Sequence, residues 1–334
     1  MRHFRFSLFS AVLLFVLSAL LPACGPAATP VATNALSRVP TNAPVTLKIA
    51  VLPIIDALPM YVADQEALFA KLGLQVEFVP VAAAPERDQL IAAGQADGMI
   101  NETLSTFFFN KDQPQVQILR YALVPTAQQG HFFILASGKS GITKPEGLKG
   151  VEIGVSQGTV IEYVTDRMLE AQGFNPDEIK TIAVPKMADR MSLLASGGLK
   201  AGVLPDPLAA LAVQQGAVPV LDDSMHPEYG FSVISFRKAV IDAHPEAMRA
   251  FLAAIEEATL LINTHPEKYI NLLSDKKLVP QPLLQTYKVP AFPTAGVPTE
   301  AEWKDALDWA KSKGMIAADV SYTASVNGSF LPKQ

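Results

Sequence analysis

One succession of segments occurs twice in this chain, about a hundred residues apart, and no other feature of the sequence limits the possible folds as much. The first copy opens with a strand-like run from Leu47 to Val51. A helical pattern follows from Ala57, with Tyr61, Val62, Leu68, Phe69 and Leu72 apolar and Gly73 as its stop. A second strand, Val76 to Val81, leads to a helix from Pro85 to Ala93 ended by Gly94, and Gly98 to Ile100 closes the unit. The second copy reads strand Val151 to Val155, helix Thr159 to Gln172, strand Thr181 to Val184, helix Ala188 to Ser196 and strand Ala201 to Leu204. Single residues repeat too: Met60 to Asp64 aligns with Glu162 to Asp166, and Leu90 to Gly94 with Leu193 to Gly197. Strands alternating with helices of this length demand parallel sheets with right-handed crossovers. The expected fold class is therefore α/β, with two open lobes, each a mostly parallel sheet flanked by helices. A cleft is expected where strand ends and helix amino termini converge.

The stretches His131 to Ala136 and Gly230 to Phe236 are extended and apolar, one entering and one leaving the second copy, so they are the expected two-strand hinge. Lobe I then comprises residues 46–133 and 234–334, and lobe II residues 134–233. The tail assigned to lobe I holds a helix from Pro245 to Asn263 with Met248, Phe251, Leu252, Ile255, Thr259 and Ile262 on one face. A proline-rich wrap and a last helix from Glu300 to Lys313 follow.

Ahead of this body, Arg2 and Arg5 precede an apolar or serine run from Phe6 to Leu21, short for a membrane-crossing helix and suited to a signal peptide. It ends in Leu21, Pro22, Ala23, Cys24 and Gly25, which resembles the bacterial lipobox, although Pro22 is a less common occupant of its position. Residues 1–23 are thus expected to be cleaved and Cys24, the sole cysteine, to carry lipid. Residues 24–45, rich in Pro, Ala, Thr and Asn, read as a flexible tether holding the body outside the cytoplasm, close to the membrane. One cysteine also excludes an internal disulfide and any multi-cysteine metal centre. Lys and Arg total 27 against 32 Asp and Glu, with no basic run able to track a phosphate backbone, so nucleic acid is not an expected partner.

Two motifs invite a catalytic reading. Gly154 to Gly158 matches G-x-S-x-G with Ser156 between a strand and a helix, where a nucleophile elbow would lie, and Asp206 and then His226, His244 or His265 follow in hydrolase order. No His-Gly-Gly run supplies an oxyanion hole, however, and each of those histidines precedes a proline, as helix-boundary residues do. A binding turn is the preferred reading over a Ser156 esterase, and no enzyme is expected. Gly138, Lys139 and Ser140 end like a P-loop, but Phe133 stands where its first glycine belongs. The five histidines include no i, i+4 pair, so neither a metal nor another cofactor is implied. Phe107, Phe108 and Phe109 read as core more readily than as a stacking platform.

The segments "LPMYVADQEALFAKLGLQVEF", "ERDQLIAAGQADG", "GLKGVEIGVSQGTVIEYVTDRML", "LPDPLAALAVQQGAVPVL" and "HPEAMRAFLAAIEEATLLINTHPEKY" together resemble the periplasmic solute-binding proteins of ABC importers. More narrowly, they resemble the type II group that includes nitrate, sulfonate, taurine and thiamine-pyrimidine-precursor binders. The resemblance covers about residues 46–331. It implies a monomeric two-lobe clamp that traps a small solute and delivers it to a membrane permease with its ATPase.

Within the expected cleft, lobe I offers Asp56, Asn101, Glu102 and Thr103, with Tyr61 for stacking. Lobe II offers Ser156, Gln157, Gly158, Thr159, Tyr163 and Asp206. Arg87, Lys186 and Arg190 are the basic candidates, so acids outnumber bases. A closed anion site suffers from an uncompensated carboxylate, whereas a heterocycle uses carboxylates as acceptors. That count favours a neutral or cationic heteroaromatic nutrient, a thiamine-type pyrimidine or a flavin, with a nitrate, sulfonate or taurine ligand as the alternative. Asp56 and Glu102 could equally be helix caps, and Tyr61 and Tyr163 packing residues.

Overall fold

The computed structural model describes residues 44–333. Cys24, the signal segment and nearly all of the tether lie outside the described residues. The first module runs β1 (Val45–Val51), α1 (Leu58–Gln65), β2 (Leu74–Pro80), α2 (Ala84–Ala92), β3 (Gly98–Asn101), α3 (Thr103–Asn110) and β4 (Val116–Leu123). The helix expected from Ala57 to Leu72 is broken. Ala67 adopts a left-handed conformation, φ 54°, and a separate turn at Leu68–Lys71 returns Leu68 and Phe69 to the core.

The chain then enters the second module with β5 (Phe132–Ala136), β6 (Glu152–Val155), α4 (Val160–Ala171), β7 (Lys180–Ala183), α5 (Met187–Ser196), β8 (Ala201–Pro205), α6 (Leu208–Gln214) and β9 (Val218–Asp222). It returns through β10 (Ser232–Arg237) to α7 (Pro245–Thr264) and α8 (Glu300–Ser312).

The strands form two five-stranded sheets in the orders β2-β1-β3-β10-β4 and β7-β6-β8-β5-β9. In each sheet the repeated strands run parallel, and one antiparallel strand comes from the chain arriving out of the other module. β10 lies between β3 and β4, and β5 between β8 and β9. The stretches expected to be hinge strands are therefore interior strands of separate sheets, and the crossings fall at 124–131 and 223–231. Gly98 shows how closely β10 is fitted, because a Cβ there would stand 2.6 Å from the ring of Phe236.

A third connection joins the halves. Trp303, Ala306, Leu307, Trp309 and Ala310 of α8 belong to one apolar cluster with Phe107 of α3 and Tyr163, Val164 and Met168 of α4. Trp303 stands edge-on to Phe107 at 4.6 Å. Asp305 accepts bonds from Tyr163 OH at 2.6 Å and from Arg167 Nε and Nη2 at 2.9 and 3.0 Å. Asp166 of α4 accepts from Trp309 Nε1 at 2.9 Å and pairs with Lys313 at 2.6 Å. A capping box of Thr299 and Glu302 sets where α8 begins, and so which of its residues meet α4.

Candidate functional site

The carboxyl ends of the central parallel strands meet around a cavity of about 80 Å³. One wall comes from Leu52, Ile54 and Asp56 after β1, Ala83, Ala84 and Arg87 at the start of α2, and Ile100, Asn101 and Glu102 between β3 and α3. The facing wall comes from Ser156, Thr159, Val160 and Ile161 at the start of α4, Pro185 and Met187 at the start of α5, and Pro205 at the end of β8. His131, Phe132 and Ser232 complete it where the chain crosses. A single water needs roughly 10–15 Å³, so this space is large enough for a small solute.

Of the residues expected at the site, Asp56, Asn101, Glu102, Ser156 and Thr159 line this cavity, and the others do not. Tyr61 packs its ring against Phe78, with the Lys276 ammonium 5.0 Å from the ring centre. Thr103 is buried in the first turn of α3. The Gln157 side chain reaches Thr181 O of β7, and Gly158, φ 72°, makes the turn whose N–H donates to Glu162 Oε2. Tyr163 is turned to Asp305 of α8. Asp206 accepts from Tyr287 OH at 2.6 Å in a separate small recess. Sequence reasoning missed His131 and Ser232, whose places in the lining follow from where the two crossings meet and not from any local spacing.

The acids of lobe I are compensated. Glu102 Oε1 accepts from Arg87 Nη2 at 3.1 Å and its Oε2 from Ser105 N at 2.9 Å, capping α3; burial pushes its carboxyl up against the pull of Arg87. Asp56 Oδ2 accepts from Ser232 Oγ, and its Oδ1 stands 3.4 Å from His131 Nε2. Burial would raise Asp56 and lower His131. Their mutual attraction outweighs it, holding Asp56 below the usual carboxylate range and carrying His131 up to about 9. His131 Nδ1 donates to Gly230 O at 2.7 Å, and the amides of His131 and Phe132 donate to Asp223 Oδ1, so this ion pair also ties the two crossings together.

Lobe II is not balanced in this way. Arg190 of α5 is fully buried, and its Nη1 donates to Ser156 Oγ at 2.9 Å and Val184 O at 2.7 Å. Its Nε and Nη2 find no acceptor among the described residues. Burial alone pulls the guanidinium down to about 10, with no carboxylate close enough to oppose it. At the start of α4, Thr159 Oγ1 caps Ile161 N, while the amides of Thr159 and Val160 donate to no protein acceptor among the described residues. Glu162, one turn in, is engaged by Gly158 N and Thr181 Oγ1 and takes no part in the lining. A positive charge behind Ser156 and two open N–H groups on a helix terminus form a surface suited to negative charge. Ser156 is no activated nucleophile: its hydroxyl accepts from Arg190 and donates to Pro185 O.

Two sheets with matching strand orders, joined by paired crossings around a cavity at their strand ends, define the fold of the periplasmic binding proteins. The alkanesulfonate-binding protein SsuA from Xanthomonas axonopodis pv. citri, bound to MOPS, superposes with a TM-score of 0.72 at 16% identity, covering 86% of this chain and 99% of that one. The periplasmic aliphatic sulphonate binding protein SsuA from Escherichia coli gives a TM-score of 0.69 at 19% identity, covering 83% and 95%. Within that fold, the chain belongs to the NMT1-like family, which it matches over residues 41–271. It is 24% identical over 245 residues to the bicarbonate-binding protein CmpA of Synechococcus elongatus, a match covering 64% of this chain and 53% of that protein. The chain thus spans about half the length of the curated relatives it matches.

Proposed function

We propose that this chain captures a small organic oxyanion, a sulfonate or carboxylate with a short apolar tail, and delivers it to the permease and ATPase of an ABC importer. The observation that carries the reading is Arg190, a buried cation with no carboxylate partner, bonded to a hydroxyl in the cavity wall. Burying an unpaired charge costs several kcal/mol, and a bound anion offsets that cost. The heteroaromatic expectation rested on free acids, yet Asp56 and Glu102 each sit beside a cation and Asp206 is bonded to Tyr287 outside the cavity. Eleven of the nineteen lining residues are apolar, which favours a ligand with a hydrocarbon part over a bare inorganic anion. The sulfonate- and bicarbonate-binding relatives support an anion. A lipid on Cys24 would keep this monomeric body at the outer face of the membrane, within reach of the permease.

A ligand screen by thermal shift tests this, with ethanesulfonate, propionate, taurine, nitrate, bicarbonate and an aminopyrimidine as probes. At a hundred times its dissociation constant, a true ligand stabilises the fold by about 2.7 kcal/mol. Stabilisation by ethanesulfonate or propionate is the expected result. A response to the aminopyrimidine with none to any anion would overturn the proposal.

A further inference from the structure

Arg87 and Arg190 occupy the same place in the repeat. Each is the fourth residue of its helix, α2 or α5, and each precedes the matching runs Leu90 to Gly94 and Leu193 to Gly197 by the same interval. Sheet register extends the match. Gly98 of β3 lies opposite Ile49 of β1 as Ala201 of β8 lies opposite Ile153 of β6, so Glu102, four residues on, corresponds to Pro205. Both arginines are buried, but their neighbours differ. Arg87 Nε donates to Asp88 Oδ1 at 2.8 Å and its Nη2 to Glu102 Oε1 at 3.1 Å. The equivalent positions near Arg190 hold Met191 and Pro205, which carry no charge.

This asymmetry sets the charge of the cleft. Among the residues that line the cavity, Arg87 is paired with Glu102 and His131 with Asp56, and the two pairs cancel. Arg190 stands behind Ser156, outside the lining, and adds a positive charge that no carboxylate among the described residues answers. The other acids close by oppose any further negative charge on a ligand: Asp88 also pairs with Arg87, and Asp206 and Asp223 stand beside His131 at the crossings. A first negative charge on a bound solute is therefore offset and a second is not, and an uncompensated charge in a poorly hydrated site is strongly disfavoured.

We propose that Glu102 is a specificity-determining residue: by engaging Arg87 it limits the cleft to solutes with a single negative charge, admitting sulfonates and monocarboxylates and rejecting dianions of similar shape. Without the Glu102 charge, Arg87 becomes a second cation at the cavity, answered only by the partly exposed Asp88. The inference rests on the oxyanion reading and fixes the charge of the ligand.

The experiment is titration calorimetry of the whole protein at neutral pH and constant ionic strength, with two pairs of probes close in shape and different in charge: methanesulfonate with sulfate, and propionate with malonate. The native protein is expected to bind the monoanion of each pair about a hundredfold more tightly than the dianion. Glu102→Gln keeps an oxygen for Ser105 N and removes the charge, so it should move the ratio of the two affinities toward the dianion by about tenfold or more. Taking the ratio within one variant cancels any loss of folded protein, which weakens both probes alike. Asp88→Asn removes the other carboxylate from Arg87 and should move the ratio in the same direction by a smaller factor, which keeps the test open if Glu102→Gln does not fold. If the native protein binds none of the four probes, the oxyanion reading fails and takes this inference with it. If it binds dianions as tightly as monoanions, the charge inference alone is overturned. The same holds if folded Glu102→Gln leaves the ratio unchanged or, should that variant not fold, if Asp88→Asn does.

Discussion

Replacing Arg190 with methionine tests the electrostatic argument directly. Burial pulls its guanidinium well below the ordinary arginine range, to about 10, and each pKa unit is worth about 1.4 kcal/mol. The folded state therefore carries a penalty of about 3 kcal/mol wherever the group is charged, which includes neutral pH; the penalty fades only as pH rises through 10. Against this stand the bonds from Nη1 to Ser156 Oγ and Val184 O, each contributing about 1 kcal/mol net. Methionine fills similar length without charge. The ligand-free variant should thus be as stable as the native protein or gain about 1 kcal/mol. An arginine with a buried partner behaves oppositely: Arg87→Met strands Glu102 and should cost about 3 to 5 kcal/mol. In binding, Arg190→Met should weaken ethanesulfonate by about thirtyfold or more, the loss of one charge-assisted interaction of about 2 kcal/mol. Urea unfolding without ligand and calorimetry with it measure the two effects. Destabilisation of the ligand-free variant by 3 kcal/mol or more, or native affinity for every anion the native protein binds, would refute the argument.

The His131–Asp56 pair makes stability pH-dependent on the alkaline side. His131 titrates at about 9 when folded against 6.5 when free, so its contribution, at most about 3 kcal/mol, is complete below 6.5 and lost as pH rises through 9. Melting temperatures between pH 6.5 and 9.5 should fall in the native protein and much less in His131→Gln; parallel curves would remove His131 from the account. Asp223, raised to about 6 by burial, acts between about 4 and 6 and leaves that window clear. At the amino terminus, a labelled fatty acid should be incorporated into the native protein and not into Cys24→Ala, and native protein that takes up no label would dismiss lipid anchoring.

The sequence displayed most of the architecture because each element's signal is local. Gly94 and Gly197 mark helix ends, and the apolar runs at β1 and β6 mark strands with little ambiguity. The break at Ala67 escaped because alanine is an ordinary helix residue and gives no warning of a positive φ. The site was legible as a location and illegible as chemistry. Asp56, Glu102, Ser156 and Thr159 were found from strand ends and helix starts, but the sign of the cleft depends on pairings such as Asp56 with His131, which are far apart in the chain and leave no mark in spacing. Counting acids against bases cannot weigh them, because a compensated carboxylate and a free one look alike in a sequence. Tyr61 and Tyr163 lie outside the cavity lining, and an aromatic one turn into a helix presents the same letter whether it faces a cleft or a neighbour.

The bracing of α4 by α8 bears on how the molecule is made. Tyr163, Asp166 and Arg167 find their partners in a helix that starts only at Glu300, so the second module cannot finish its packing until that much later segment has been synthesised. A module whose bracing helix lies so far along the chain stays open to rearrangement through that whole stretch of synthesis.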